Sequence, residues 1–186
     1  MKASRGARRF LLCREGIVLA AYPDPVICSA GAGQQVPHMK VGDPVTLDWT
    51  FDTFRASVAQ REAELSARIH FPLKQQEFDA IFSIYYNKGN QYLPTKLRSP
   101  GDKYYNCPDL LSPINAGNLD GAADLIPLCD MNAAGEHVGG LRTRRLKEQG
   151  MFLHGDYSDD DPIPFWRGLP KLTKRETYEL KPGDID

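Results

Sequence analysis

The longest regular pattern in the sequence is a stretch with the 3.6-residue period of an α-helix, from Asp52 to Ile69. Apolar side chains recur on one face and charged side chains occupy the other, which is typical of a helix buried on one side. The apolar positions are Phe54, Val58, Ala59, Leu65 and Ile69. Asp52 is a suitable N-cap residue, and Pro72 prevents the pattern from continuing. The pattern therefore predicts one long helix over Asp52–Ile69.

The remaining segments divide into helical stretches and segments interrupted by proline and glycine. Shorter helices are predicted at residues 8–16, 73–86, 121–130 and 140–152. Prolines and glycines break up residues 22–35, which indicates a β-hairpin with turns, and residues 91–112 are rich in loops. Residues 158–186 are rich in proline and charge, which predicts an extended or partly disordered tail. A small β-element followed by a helical body predicts an α+β fold.

The composition argues against several classes of function. The 186 residues include 23 Lys and Arg against 24 Asp and Glu, a formal net charge of −1. This balance argues against nucleic acid or an anionic membrane surface as the main partner. No apolar run approaches the roughly 18–20 residues that a membrane helix needs, so we expect no membrane insertion. Basic residues precede Phe10-Leu11-Leu12, but Arg14 and Glu15 end this run early, so we expect no cleavable signal peptide.

The cysteines and histidines show no spacing typical of a metal site. They are Cys13, Cys28, Cys107, Cys129, His38, His70, His137 and His154. We expect ordinary core or surface roles for them and no bound metal, while a Cys13–Cys28 disulfide stays open. The run Asp159-Asp160-Asp161 lacks the spacing of a calcium-binding loop and favours a solvated group of charges.

Two carboxylates and a hydroxyl follow one another near the N-terminus. Glu15 ends the first predicted helix, Asp24 comes nine residues later in a turn, and Ser29 five residues after that. Glycoside hydrolysis needs one protonated carboxyl to donate a proton and one ionised carboxylate to assist water. Partial burial would keep Glu15 protonated, Asp24 would stay charged, and Ser29 could hold the water. A helix-end carboxylate and an unrelated turn aspartate are the alternative that this spacing leaves open.

Three blocks of sequence, in order, carry a resemblance to a known family. The first comprises Arg14-Glu15-Gly16, Ala21-Tyr22-Pro23-Asp24-Pro25 and Ser29-Ala30-Gly31-Ala32-Gly33. The second is Phe82-Ser83-Ile84-Tyr85-Tyr86-Asn87-Lys88-Gly89, and the third is Gly140-Leu141-Arg142-Thr143-Arg144-Arg145-Leu146-Lys147-Glu148, with the turn Ile114-Asn115-Ala116-Gly117 between them. They resemble the catalytic segment and two helices of the phage-type lysozymes, glycoside hydrolase family 24. The resemblance extends over residues 10–157.

The resemblance implies a lysozyme-like fold and a catalytic domain over residues 8–157, followed by the tail. In that fold a small β-hairpin lobe and a mainly α-helical lobe are joined by a long helix, here Asp52–Ile69, with a polysaccharide cleft between them. Glu15 would be the general acid, Asp24 would position water, and Ser29 would replace the family's threonine.

Tyr22 and Arg144 are weaker candidates for substrate binding. By the same resemblance, Arg144 could lie near Glu15. The pair Arg144-Arg145 could equally be a solvated helix face. Together with Arg142 and Lys147 it could form a basic patch that approaches an anionic cell wall.

The implied activity is that of a lysozyme, which hydrolyses β-1,4 bonds between N-acetylmuramic acid and N-acetylglucosamine in bacterial peptidoglycan. It would need no metal or organic cofactor, and it would act as a monomer. We expect inversion at the anomeric carbon, with the two carboxyl groups about 6.5–9.5 Å apart. Without a signal peptide, the protein would be made in the cytoplasm and reach the wall through a holin or a dedicated secretion machine.

The sequence departs from the family pattern at four points. The spacing from Asp24 to Ser29 is one residue shorter, the glycine after Asp24 is missing, serine replaces threonine, and Gln34 replaces a histidine. None of these changes removes a carboxylate. They leave open a weakened or inactive module that binds peptidoglycan or serves a phage or secretion particle. An enzyme acting on a related polymer such as chitin is also left open.

Overall fold

The computed structural model describes residues 1–24, 27–94, 99–102, 105–132, 135–158 and 160–186. They form two compact units. The first, here called the β unit, contains residues 5–60 and 158–186; the second, the helical unit, contains residues 1–4 and 61–157. The mixed α+β class predicted from the sequence is confirmed.

The β unit is built on one five-stranded sheet and the helix that leads into it. Its elements are α1 (Arg5–Glu15), β1 (Ile17–Tyr22), β2 (Ser29–Gly31), β3 (Gln34–Gln35), β4 (Ile163–Trp166) and β5 (Glu176–Tyr178), and the strand order is β3-β2-β1-β4-β5. Helix α1 stops where Gly16 adopts a φ of 72°, a left-handed conformation that glycine tolerates best. The chain therefore passes from the last helical residue, Glu15, into the central strand with only Gly16 between them.

The C-terminal residues are part of this sheet, so the expectation of an extended or partly disordered tail is wrong. Strand β4 pairs in parallel with β1, with Ile17 opposite Phe165, and β5 pairs antiparallel with β4. Ile163, Phe165 and Ile185 are buried. The high content of proline and charge conceals a short alternation of apolar residues, and its partner is strand β1, which lies far earlier in the sequence.

The long helix α2 runs over Leu47–Ser66, so it begins five residues before the predicted N-cap Asp52. The side chain of Thr46 caps it instead, because its hydroxyl oxygen accepts a hydrogen bond from the backbone N–H of Trp49 at 3.1 Å. Trp49 packs against the apolar cluster formed by Ala21, Ala30 and Val36. The helical pattern of residues 52–69 did not extend back to Trp49. The boundary between the two units falls within α2.

In the described part of the helical unit there are four further α-helices. They are α3 (Gln75–Lys88), α4 (Leu111–Asn115), α5 (Leu119–Leu125) and α6 (Gly139–His154). The predicted helices at 73–86 and 140–152 are present with bounds shifted by one or two residues. The helix predicted to reach residue 130 ends at Leu125 and continues as a 3₁₀ turn that contains Pro127, and α4 was not predicted. Among the described residues, none of the helices has both the length and the apolar character that crossing a bilayer requires.

Candidate active site

Glu15 lies at the end of α1 and faces the turn between β2 and β3. Its carboxylate oxygen Oε2 is 3.3 Å from the position that a Cβ atom on Gly33 would occupy. Gly33 has a φ of 81°, so the turn needs glycine both for its backbone and for the room that it leaves to the carboxylate. Glu15 itself is half-buried. The hairpin therefore forms one wall of the environment of the predicted general acid.

Asp24 and Ser29 lie side by side, as the predicted arrangement requires. The Ser29 hydroxyl donates a hydrogen bond to Asp24 Oδ2 at 3.1 Å. Ser29 is at the start of β2, opposite Tyr22, and is only 1% exposed, whereas Asp24 is exposed. The shorter spacing between the two residues therefore still brings the hydroxyl to the carboxylate. Pro25 of the family-like segment lies outside the described residues.

Gln34, which stands where the family pattern has histidine, closes the same turn. Its side-chain oxygen accepts a hydrogen bond from the backbone N–H of Ala32 at 2.8 Å, and its amide nitrogen donates to the carbonyl oxygen of Ala32 at 3.0 Å. This pair of hydrogen bonds holds the residues on either side of Gly33. The turn that faces Glu15 is thus fixed by a neutral amide.

Tyr22 ends strand β1 and lines an open cavity of about 410 Å³. The other lining residues are Pro23, Val41, Leu169, Pro170, Lys171 and Leu172. Most of this lining is apolar, and Val41 and Leu172 are exposed at 52% and 79%. Tyr22 is therefore accessible to a ligand, and it lies on the same segment as Asp24.

Arg144 and Arg145 are buried in the helical unit, so the alternative that they form a solvated helix face is wrong. Arg144 Nε lies 3.1 Å and Arg145 Nη1 lies 2.6 Å from the two carboxylate oxygens of Glu148, which is fully buried. Arg145 also donates to the side-chain oxygen of Asn87 at 2.6 Å, and Arg144 contacts the Ser83 hydroxyl at 3.5 Å. Burial lowers the pKa of the Arg145 guanidinium, and the Glu148 carboxylate opposes this shift.

The predicted basic patch loses two of its four members for the same reason. Arg144 and Arg145 are buried against the Glu148 carboxylate, so they are withdrawn from the surface that a partner would contact. The proximity of Arg144 to Glu15 stays a prediction.

Asp161 is a partner of the helix end that carries Glu15, and no pattern in the sequence indicated it. Its carboxylate forms an ion pair with Arg14, the residue immediately before Glu15. Its carbonyl oxygen accepts hydrogen bonds from Arg9 Nη2 at 3.0 Å and from the Cys13 thiol at 3.2 Å. Asp161 therefore does not belong to a solvated run of charges. Its distance in sequence from Arg14 leaves no local signal for the pairing.

The cysteines and the acidic run near residue 160 are the remaining candidates for a disulfide or a metal site. Within the described ranges all four cysteines are free thiols, so the Cys13–Cys28 disulfide is absent. Asp160 is exposed, and Asp159 lies outside the described residues. No group of three or more His, Cys, Asp or Glu among the described residues is arranged to hold a metal ion.

Comparison with known proteins identifies the family. Residues 13–148 match the sequence profile of the family described as phage lysozyme. The endolysin of Acyrthosiphon pisum secondary endosymbiont phage 1 is 30% identical over 145 residues, which cover 74% of this chain and 88% of that protein.

Solved structures show the same fold. The endolysin from Escherichia coli O157:H7 phage FAHEc1 has a TM-score of 0.65 at 25% identity, covering 83% of this chain and 95% of that one. The muramidase domain of SpmX from Asticaccaulis excentricus has a TM-score of 0.65 at 23% identity, covering 82% of this chain and 97% of that one. At this identity the similarity is one of fold alone. The predicted lysozyme-like fold is confirmed, and the chain belongs to the phage lysozyme family.

Proposed function

We propose that this phage lysozyme hydrolyses the β-1,4 bond between N-acetylmuramic acid and N-acetylglucosamine with Glu15 as general acid and Asp24 and Ser29 as the pair that holds water. Membership of the family makes the chain a peptidoglycan-hydrolysing lysozyme. The single observation that carries the residue roles is the hydrogen bond between Ser29 and Asp24 beside a hairpin turn that faces Glu15.

Glu15 donates the proton that the departing sugar needs. As the C1–O bond breaks, the carboxyl proton passes to the glycosidic oxygen, which leaves as a hydroxyl group. The half-buried position at the end of α1, with the carboxylate against the hairpin turn, supports this role.

Asp24 and Ser29 orient the nucleophilic water. The hydroxyl hydrogen of Ser29 is used in the bond to Asp24, so its oxygen is left to accept a hydrogen bond from water. The second carboxylate oxygen of Asp24 accepts the other hydrogen of that water and takes its proton during attack on C1. Attack from the face opposite the leaving group gives inversion, and it requires a carboxyl separation of about 6.5–9.5 Å.

Tyr22 is proposed to contact the glycan strand, because it lines an open cavity and lies two residues before Asp24 in the sequence. Arg144 is a weaker candidate, since it is 7% exposed and its guanidinium is bonded to Glu148. A role in supporting the helical unit fits its contacts better than direct contact with sugar.

The proposal is tested on purified peptidoglycan. Release of reducing sugar is measured for the unchanged protein and for Glu15→Gln, Asp24→Asn and Ser29→Ala, with circular dichroism to verify folding. We expect Glu15→Gln to abolish release, and near-normal turnover by that variant would reject the mechanism. Proton NMR of the first product distinguishes inversion from retention by the anomer that forms first.

The same assay separates the alternatives. A binding module would sediment with peptidoglycan and release nothing even when unchanged. An enzyme for a related amino-sugar polymer would release more reducing sugar from chitin than from peptidoglycan. The first outcome contradicts the proposed activity, and the second contradicts the proposed substrate.

We further propose that the protein acts as a monomer at the cell wall, without nucleic acid or membrane insertion, after release by a holin or a dedicated secretion machine. The net charge of −1 supports the absence of a polyanionic partner. Size-exclusion chromatography with light scattering tests the monomer, and a dimer mass at micromolar concentration would contradict it.

A further inference from the structure

Several residues near the end of α1 bind Asp161 of the C-terminal segment. Arg14 binds its carboxylate, while Arg9 and Cys13 both bind its carbonyl oxygen. Arg14 also lies over the ring of Phe10, with its guanidinium carbon 4.9 Å from the ring centroid. These contacts hold the turn of α1 that immediately precedes Glu15.

The residues just after Glu15 are held by the same C-terminal segment. Strand β4 pairs with β1 at its first two residues, Ile17 and Val18. A Cβ atom on Gly16 would be 2.9 Å from the Trp166 side chain, so that side chain lies directly against the backbone of Gly16. Glu15 is therefore flanked on both sides in sequence by contacts from residues 161–166.

A helix end needs such support if it is to carry a catalytic group. The last carbonyl groups of a helix lack partners within the helix, and helix ends fray. A catalytic side chain must stay within about 0.5 Å of its productive position, and a 1 Å displacement can cost roughly 100-fold in rate. The family match ends at residue 148, so residues 161–166 lie outside the part of the chain that the match covers.

We infer that Asp161 is a positioning residue for Glu15, and that the C-terminal segment is needed for catalysis by this lysozyme. The inference rests on the proposed role of Glu15. Asp161 touches neither substrate nor the reacting atoms; it acts by fixing the helix turn from which Glu15 projects.

The test compares Asp161→Asn with Asp160→Asn in the full chain. Both substitutions remove one negative charge at neighbouring positions, but Asp160 is exposed and has no part in the proposed site. For Asp161→Asn we expect kcat on soluble peptidoglycan fragments to fall about 10-fold with KM within about twofold, at a temperature where circular dichroism shows the variant folded. Asp160→Asn should keep both constants unchanged.

A double-mutant cycle with Arg14→Gln shows whether the ion pair is the route. If Asp161 acts through Arg14, the double variant should lose no more kcat than the more impaired single variant. If Asp161→Asn does not fold, Arg14→Lys carries the same expectation, because a point charge replaces the planar guanidinium without loss of charge.

Three results would overturn the inference. They are equal kcat for the Asp161 and Asp160 variants, a loss confined to KM, and fully additive losses in the cycle. These results differ from failure of the proposed function, which would appear as full activity of Glu15→Gln or no activity of the unchanged protein.

Discussion

Substitution of Gly33 by alanine should separate the backbone role of this glycine from its role beside Glu15. The added methyl would lie 3.3 Å from Glu15 Oε2, closer than ordinary van der Waals contact, so the carboxylate must move by a few tenths of an ångström. The φ of 81° also strains any L-residue, at a cost of about 1–2 kcal/mol. For a chain of this length that cost lowers Tm by roughly 2–8 °C.

Gly42→Ala is the matched control. Gly42 also has a left-handed φ, 97°, but nothing lies within 4 Å of the position of its added methyl. Both variants should therefore lose similar Tm, measured by circular dichroism, while only Gly33→Ala should lose kcat. A displacement of a few tenths of an ångström corresponds to a loss of about 3- to 10-fold in reducing-sugar release. Equal kcat values for the two variants would refute the idea that the glycine leaves room for the catalytic carboxyl.

Three further predictions follow from single contacts. Ser29→Ala should lower kcat about 10-fold or more in the same assay while Ser29→Thr keeps most of it, because only the second retains the hydroxyl that bonds to Asp24. Glu148→Ala should lower the free energy of unfolding in urea by about 3–5 kcal/mol, because it leaves two buried guanidiniums without their carboxylate; a loss below 1 kcal/mol would contradict this. Burial and a hydrogen bond to Asp184 raise the pKa of Tyr178 to about 12, so the unfolded chain ionises first and stability should fall between pH 10 and 12; Tyr178→Phe should flatten that slope in pH-dependent melting curves.

The local arrangement of the candidate site could be predicted because its information is local. Glu15, Asp24 and Ser29 lie within 15 residues, and the contacts that join them are made by one helix end and one hairpin. The glycines and prolines that interrupt the helical pattern there indicated the hairpin. Sequence resemblance supplied the roles, and the hydrogen bond between Ser29 and Asp24 agrees with them.

The parts that could not be predicted depend on contacts across long sequence separations. Arg145 belongs to a helix with an ordinary mixture of charged residues, and its hydrogen bond to Asn87 on α3 joins residues that are far apart in the sequence. Strand β4 has only four residues. Without β1 beside it, a stretch this rich in proline and charge gives no indication of a strand. In both cases the composition of the segment did not indicate which distant residues it contacts.

Gln34 departs from the family pattern and still holds the turn in which it lies. The histidine that the pattern has at this position could be charged, whereas the amide of Gln34 is neutral and binds both backbone groups of Ala32. These bonds fix the turn in which Gly33 leaves room for the Glu15 carboxyl. A departure in residue type therefore changes the charge that is possible here, while side-chain hydrogen bonds still hold the turn. The site keeps its two carboxyl groups and its hydroxyl, and this favours a working hydrolase over a binding module that has lost its chemistry.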